Sequence, residues 1–257
     1  MGFHLDKFDG IGRITLDTPG RKNALSPQDR YDLAEVVRGL RHDAEVRVVL
    51  FCGANGDFCT GADVSHMGGA ETASTRTRMQ RGVGAIAREL AALEKPVVSA
   101  VRGLAVGFGW SIPLASDIVI ASETARFAMI FAKRGLAPDG GAVHHLVRHI
   151  GHMRAKELAF SARILGAAEA FEMGLLSKLV PDDQLDAEAE AYCRHLLTMP
   201  TLALGMTRHL FEVATGTDLE TFLDIEAYVQ SALNETSDYK EAVKAFQEKR
   251  PGVYTGS

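Results

Sequence analysis

Between residues 10 and 122 the chain alternates short apolar runs with stretches in which apolar positions recur every three to four residues. The runs GIGRITLD (10–17), VRVVLFC (46–52), KPVVSAV (95–101) and DIVIAS (117–122) are rich in β-branched residues and bounded by turn formers, which predicts strands. SPQDRYDLAEVVRGLRHD predicts a helix: Ser26 stands at the N-cap, Pro27 at the first helical position, and Leu33, Val36, Val37 and Leu40 share one face. A second helix is expected over 72–93. Strands alternating with helices argue for a parallel sheet covered on its faces, with ligand loops at the strand ends. After residue 182 the strands stop, and DAEAEAYCRHLLTM, TLALGMTRHLFEVA, LETFLDIEAYVQSALN and DYKEAVKAFQEK read as four helices. The expected organisation is an α/β core over 1–182 and a helical segment over 183–257, with no internal repeat.

Composition narrows the function classes. With 257 residues, 46% of them hydrophobic, the chain can bury a substantial core, and nothing in it suggests disorder. A net charge of −5 gives no overall basic field for nucleic acid or an anionic membrane, which argues against polyanionic polymers as partners, although a local basic patch could still bind a phosphorylated small molecule. No apolar run reaches the ~20 residues that span a bilayer. The opening MGFHLDKFDG lacks the basic-then-apolar order of a secretory signal. Cys52, Cys59 and Cys193 form no C-x-x-C pair, which favours buried thiols in a reducing compartment, and the expected location is cytoplasmic.

The stretch VVSAVRGLAVGFGW, residues 97–110, runs from a strand into a loop with glycines at 103, 107 and 109. It is not a dinucleotide fingerprint, because the third glycine is missing, nor a Walker loop, because no G-K-[ST] follows. A bare backbone between a strand and a helix can instead turn an amide N–H toward a ligand oxygen. FCTGAD, residues 58–63, is a second such loop, and two of them are what a two-donor oxyanion hole requires. Tight strand-to-helix turns are the structural alternative.

Five segments in order, ITLDTPGRKNALS, VVLFCGANGDFCTGADVSHM, KPVVSAVRGLAVGFGWSIPLASDIVIASETARF, RGLAPDGGAVHHLVRHIG and GAAEAFEMGLLSKLVP, resemble the successive motifs of the crotonase family, the enoyl-CoA hydratase/isomerase superfamily. The resemblance implies a core of repeated ββα turns, a helical C-terminal trimerisation segment giving a homotrimer or hexamer, and acyl-CoA thioester substrates. Coenzyme A would enter as part of the substrate, with no separate cofactor and no metal. It also implies an oxyanion hole from the N–H groups of Ala62, in TGAD, and Phe108, in the middle of GFG. Gly61, Gly107 and Gly109 flank these donors.

Hydratases of the family use two glutamates, and the matching positions here are Ser111 and Phe131, neither of which is a useful base at neutral pH. Asp139, in GLAPDGG, falls where ring-epoxide and some enoyl-CoA isomerases, and chlorobenzoyl-CoA dehalogenases, carry an aspartate. It can shuttle a proton or attack as a nucleophile. The alternative is a helix cap, which would lower its pKa. The leading expectation is an isomerase; a hydratase or other lyase or hydrolase of the family, and a non-catalytic acyl-CoA-binding member, are the alternatives.

The resemblance further places Arg21, Lys22 and Ala24 beside the coenzyme A, and Met67 and Pro138 in the acyl region. Asp63 reads as a loop-holding residue. His144, His145, His149 and His152 read as surface or subunit-contact residues, since no third metal ligand accompanies the i, i+4 pair. Cys59 reads as small-volume packing, Trp110 and Met129 as pocket or core, and Arg76, Arg78, Arg81 and Arg88 as a solvated helix face.

Overall fold

The computed structural model of the chain describes residues 1–63, 65 and 72–256, the side chains of Thr72 and Ala73 excepted. Met67 lies outside the described residues. A six-stranded sheet holds β1 (Phe3–Phe8), β2 (Ile11–Leu16), β3 (Val48–Gly53), β4 (Val97–Val101), β6 (Ile118–Ser122) and β9 (Lys178–Val180), in the order β1-β2-β3-β4-β6-β9. All neighbours are parallel except β1 and β2, a hairpin that pairs Phe3 with Leu16 and Phe8 with Ile11. Its turn is Asp9-Gly10, with φ of 48° and 82°, the geometry for which Asp-Gly turns are selected. A small second sheet, β5 (Leu104–Val106), β7 (Arg126–Ala128) and β8 (Leu165–Gly166), stands in the order β5-β7-β8.

Because the central strands are covered on both faces, they read as continuous apolar runs. In β3, Val49 and Phe51 face one way with Ile14 and Leu16 of β2. They pack against Leu33 and Val37 of α1 (Pro27–Arg41) and, beyond α2 (Thr72–Arg81), Ile86 and Leu90 of α3 (Val83–Ala92). Val48 and Leu50 face the other way, with Ile11, Val98 and Ile120. The short α4 (Phe108–Leu114), the long α5 (Ala142–Ser161) and α6 (Ala167–Glu172) precede α7 (Leu185–Leu197), whose Leu185, Ala189 and Cys193 cover that second face. The helix expected over 72–93 is two helices broken at Gly82.

After β9 the chain is helical, through α7, α8 (Thr201–Ala214), α9 (Leu219–Asn234) and α10 (Ser237–Glu248). Among the described residues no helix is long and apolar enough to cross a membrane. The two sheets thus supply two loops, one after β3 and one after β5, and the first is hydrogen-bonded to β5 through Cys59.

Candidate active site

The loop after β3 is held from three sides. Asn23, fully buried, donates from Nδ2 to the carbonyls of Ala54 (2.8 Å) and Asp57 (2.7 Å), and its Oδ1 accepts from the Thr18 N–H. The Cys59 N–H donates to Leu104 O and the Val106 N–H to Cys59 O, which ties the loop to β5. The Leu25 N–H donates to Gly61 O and the Asp63 N–H to Leu25 O, at 2.8 and 3.0 Å. In an extended backbone successive amides point to opposite sides, so the Ala62 N–H points away from Leu25; no described residue accepts from it. Asn23→Ala would remove the clamp and leave the half-buried Ala54 and Asp57 carbonyls and the buried Phe58 carbonyl without that donor; a loss of about 2–4 kcal/mol is expected in urea unfolding.

The second loop turns at Gly107, whose φ of 58° and ψ of −129° only glycine adopts readily, and enters α4. Phe108 is the first residue of that helix, where an N–H has no intrahelical partner, and no described residue accepts from it. The two loops touch. A Cβ at Gly109 would lie 2.1 Å from the Cys59 carbonyl oxygen, and one at Gly61 would lie 3.2 Å from the Phe108 nitrogen. Two unsatisfied donors, at Ala62 and Phe108, are therefore carried on backbones in contact.

Asp139 sits between the 3₁₀ turn Ile130–Arg134 and α5. It does not cap that helix, as its place before GGAVHHLV suggested: the N-cap is Gly141, and the Asp139 carbonyl, not its carboxylate, accepts from the Ala142 N–H. Its Oδ1 is buried with no hydrogen-bond partner. Burial pushes the carboxyl up to about 6, opposed by the positive charge of Arg30 on α1. The cap would have lowered it, so the sign of the shift is reversed.

The same loop is pinned against the second donor loop. The Ser111 Oγ donates to the Asp139 carbonyl at 3.0 Å, and a Cβ at Gly140 (φ 60°) would lie 2.7 Å from the Phe108 ring. Ser111 is buried, and its hydroxyl holds backbone. Phe131 is buried too, its ring 3.7 Å from where a Gly107 Cβ would stand. The Phe108 ring is packed under Gly140, so its side chain supports the Asp139 loop.

The remaining sites fall at the rim or in the core. Arg21 pairs with Asp63, whose Oδ1 also accepts from the Ser65 N–H and Oγ, and Lys22 Nζ lies 3.8 Å from Asp57. Arg21 and Lys22 are exposed and Ala24 half-buried. Pro138 lines an apolar groove of about 470 Å³ with Leu136, Leu146 and Phe160. Trp110 and Met129 belong to the core. The Cys59 thiol, wholly buried, is pushed up to about 12, which suits packing and not nucleophilic attack. His149 Nε2 pairs with the Leu114 carbonyl, and burial with its histidine neighbours pulls His145 down to about 4. No group of three or more metal-ligating side chains is assembled among the described residues.

Sequence reasoning passed over two residues of this site, Asn23 and Arg30. It also placed Arg78 on a solvated face, whereas that side chain is half-buried.

Comparison with known proteins gives a consistent answer. The profile of the family described as Enoyl-CoA hydratase/isomerase matches residues 6–257. The chain is 36% identical to the 1,2-epoxyphenylacetyl-CoA isomerase of Escherichia coli K12, covering 98% of this chain and 97% of that one. It is 32% identical to a short-chain-enoyl-CoA hydratase of Clostridium acetobutylicum, over 96% and 94% of the two chains. The solved structure of an enoyl-CoA hydratase from Bacillus anthracis superposes with a TM-score of 0.93 at 28% identity, covering 100% of both.

Proposed function

Because the chain belongs to the enoyl-CoA hydratase/isomerase family, we propose that it is an acyl-CoA isomerase that moves a double bond through a thioester enolate, with Asp139 carrying the proton. The thioester oxygen lies between the N–H groups of Ala62 and Phe108. Asp139 removes a proton from one acyl carbon, and the electron pair of that C–H bond delocalises onto the thioester oxygen, where the two donors stabilise it. The proton then returns from the Asp139 carboxyl to a different carbon, so substrate and product have the same mass. In other enzymes the loss of one such donor costs on the order of 10²- to 10³-fold in rate.

The observation that carries this reading is the state of Asp139. An oxygen buried without a hydrogen bond, on a carboxyl raised to about 6, makes a stronger base than a solvated aspartate and still leaves it mostly ionised at neutral pH. Ser111 and Phe131, where the hydratases' two glutamates would stand, supply no carboxylate, and the Ser111 hydroxyl is engaged with the Asp139 backbone. The reading therefore rests on one carboxylate and one pair of donors.

Incubation of the purified protein with matched 2-enoyl- and 3-enoyl-CoA, followed by chromatography and mass spectrometry, tests it. Interconversion at constant mass is expected. Gain of one water would make the chain a hydratase with an unconventional base, and saturable binding with no turnover would make it a non-catalytic acyl-CoA-binding member. The pH profile supplies an independent check. Because the base form of Asp139 is required, kcat/KM should fall about tenfold per pH unit below about 6 and level off above it. A flat profile between pH 5 and 8 would remove Asp139 from the proton transfer.

A further inference from the structure

The helix that begins at the second donor is short, and its far end is closed from another element. Within α4, Pro113 brings no N–H to the ladder, and the last four carbonyls of any helix must find donors outside it. The Ala115 N–H serves Ser111 and Ile112, the Ser116 N–H serves Pro113, and the Ser116 Oγ adds a bond to Ile112. The carbonyl of Leu114, the last residue of α4, receives no described backbone N–H. Its donor is His149 Nε2 on α5, at 3.0 Å. A carbonyl only accepts, so Nε2 carries the proton of this imidazole.

From the same ring a row of contacts leads back to the Asp139 loop. His149 stacks on His145, one turn earlier on α5, with centroids 6.4 Å apart and planes 19° from parallel. Nε2 and Cδ2 of His145 each lie 3.4 Å from where a Cβ at Gly141 would stand, and Gly141, at φ 80°, is the N-cap of α5 just after Asp139-Gly140. Packing does not replace this row: a cavity of about 530 Å³ opens beside it, with Leu114, Ala115, His145 and His149 among its walls. The other link between α4 and the Asp139 loop lies toward the opposite end of the helix, where Ser111 Oγ donates to the Asp139 carbonyl and the Phe108 ring packs under Gly140. With a link toward each end the helix is fixed against pivoting. With the first alone, a rod about 10 Å long can swing about Ser111 and carry the Phe108 N–H with it.

We propose that His149 is a positioning residue for the proton transfer: by closing the Leu114 carbonyl, and by bracing Gly141 through His145, it fixes the Phe108 N–H relative to the Asp139 carboxyl. The inference rests on the isomerase reading above and adds to it a residue at the far end of α4 from the donor. It assigns a task to the i, i+4 histidine pair that the sequence alone reads as surface.

Steady-state kinetics of the full chain with the 3-enoyl-CoA that the wild type turns over fastest, read beside calorimetric binding of the matched saturated acyl-CoA, tests it. In His149→Leu kcat is expected to fall about tenfold, since a misplacement of about 1 Å can cost as much as 10²-fold, while the Kd for the saturated thioester stays within about twofold of wild type. His149→Gln, whose amide Nε2 can reach the same carbonyl, should recover at least about half of the wild-type kcat, which a role of the ring in packing alone would not allow. His149→Asn is polar but too short to reach; it should behave as the leucine variant does and covers the case in which that variant does not fold. A kcat within about twofold of wild type in the leucine or asparagine variant overturns the proposal, and so does a glutamine variant that recovers nothing. Equal losses in kcat and in affinity for the saturated thioester would assign His149 to general stability and overturn it as well. A wild-type chain that leaves the double bond where it was would instead sink the isomerase reading, and the positioning role with it.

Discussion

Asp139→Asn is expected to lower the rate of double-bond transfer by at least about a thousandfold while the affinity for a saturated acyl-CoA stays within a few fold. Positioned acid–base groups contribute about 10²- to 10⁴-fold, and in the proposed reaction one carboxyl serves both removal and return of the proton. The amide is nearly the same shape, so the packing of the loop over Phe108 survives. Stability should move in the opposite direction from activity. Asp139 has a folded pKa of about 6 against an ordinary value of 3.8, so the folded chain binds its proton more tightly than the unfolded one. Its stabilising contribution is complete below the unfolded value and is lost as pH rises through about 6. At pH 8 the ionised, buried carboxylate costs on the order of 2–3 kcal/mol relative to a neutral side chain. The variant should therefore melt higher than wild type at pH 8, with the gap closing toward pH 4. Retention of more than a tenth of the wild-type rate would remove Asp139 from the reaction. A gap that fails to widen with pH would show that its burial costs less than the missing hydrogen bond implies.

Much of this fold is legible in the periodicity of the chain, because its large elements are held by burial. The runs at 46–52, 95–101 and 117–122 are apolar on both faces, as a covered parallel sheet demands, and the four C-terminal helices carry clear spacing. What periodicity passes over is short or depends on distant partners. Strands β5, β7 and β8 have only two or three residues each, too few to show a period. The hairpin of β1 and β2 was also passed over, although Asp9-Gly10 between two apolar-containing runs is a turn cue stronger than the mixed composition of FHLDKF. The site divides in the same way. Glycines at 107 and 109 mark the second donor loop in the sequence, but that Gly109 is needed because the Cys59 carbonyl presses on it is a tertiary fact. Asp139 before two glycines looks like a cap, and only the fold turns its carboxyl into the protein and leaves an oxygen bare. Arg30 could have been found, since an arginine three residues before Leu33 and seven before Val37 falls on the apolar stripe of its helix.

The positions that fail to match the two-glutamate pattern have acquired structural work that supports the single carboxylate. Ser111 is too far engaged with the Asp139 carbonyl to hold a water as its main task, and the Phe131 ring backs the turn at Gly107. Both act on the relation between the Asp139 loop and the Phe108 donor. A glutamate at 111 would place a second carboxylate beside Asp139 and remove the hydroxyl that holds its backbone, so the two arrangements exclude one another within this packing. In the proposed reaction, geometry between two loops and one carboxyl therefore carries everything.

That dependence makes Gly109→Ala the second large effect. A methyl there would stand 2.1 Å from the Cys59 carbonyl oxygen and 2.7 Å from its carbon, and both neighbours are backbone, which cannot rotate away as a side chain can. One loop must move by about 1 Å, and displacement of that size would separate the Ala62 and Phe108 donors from the common thioester oxygen of the proposed reaction. The expected result is a fall in kcat of about 10²- to 10³-fold, the scale of losing one donor, together with a destabilisation of about 2–3 kcal/mol from overpacking. Gly39→Ala is the matched control: it sits in α1 with nothing within 4 Å of the added methyl, and a helix interior favours alanine over glycine by about 0.5–1 kcal/mol. It should leave the rate unchanged and raise the melting temperature slightly. If Gly109→Ala folds and keeps the wild-type kcat, the contact between the two loops does not set the hole, and the thioester oxygen must be held elsewhere.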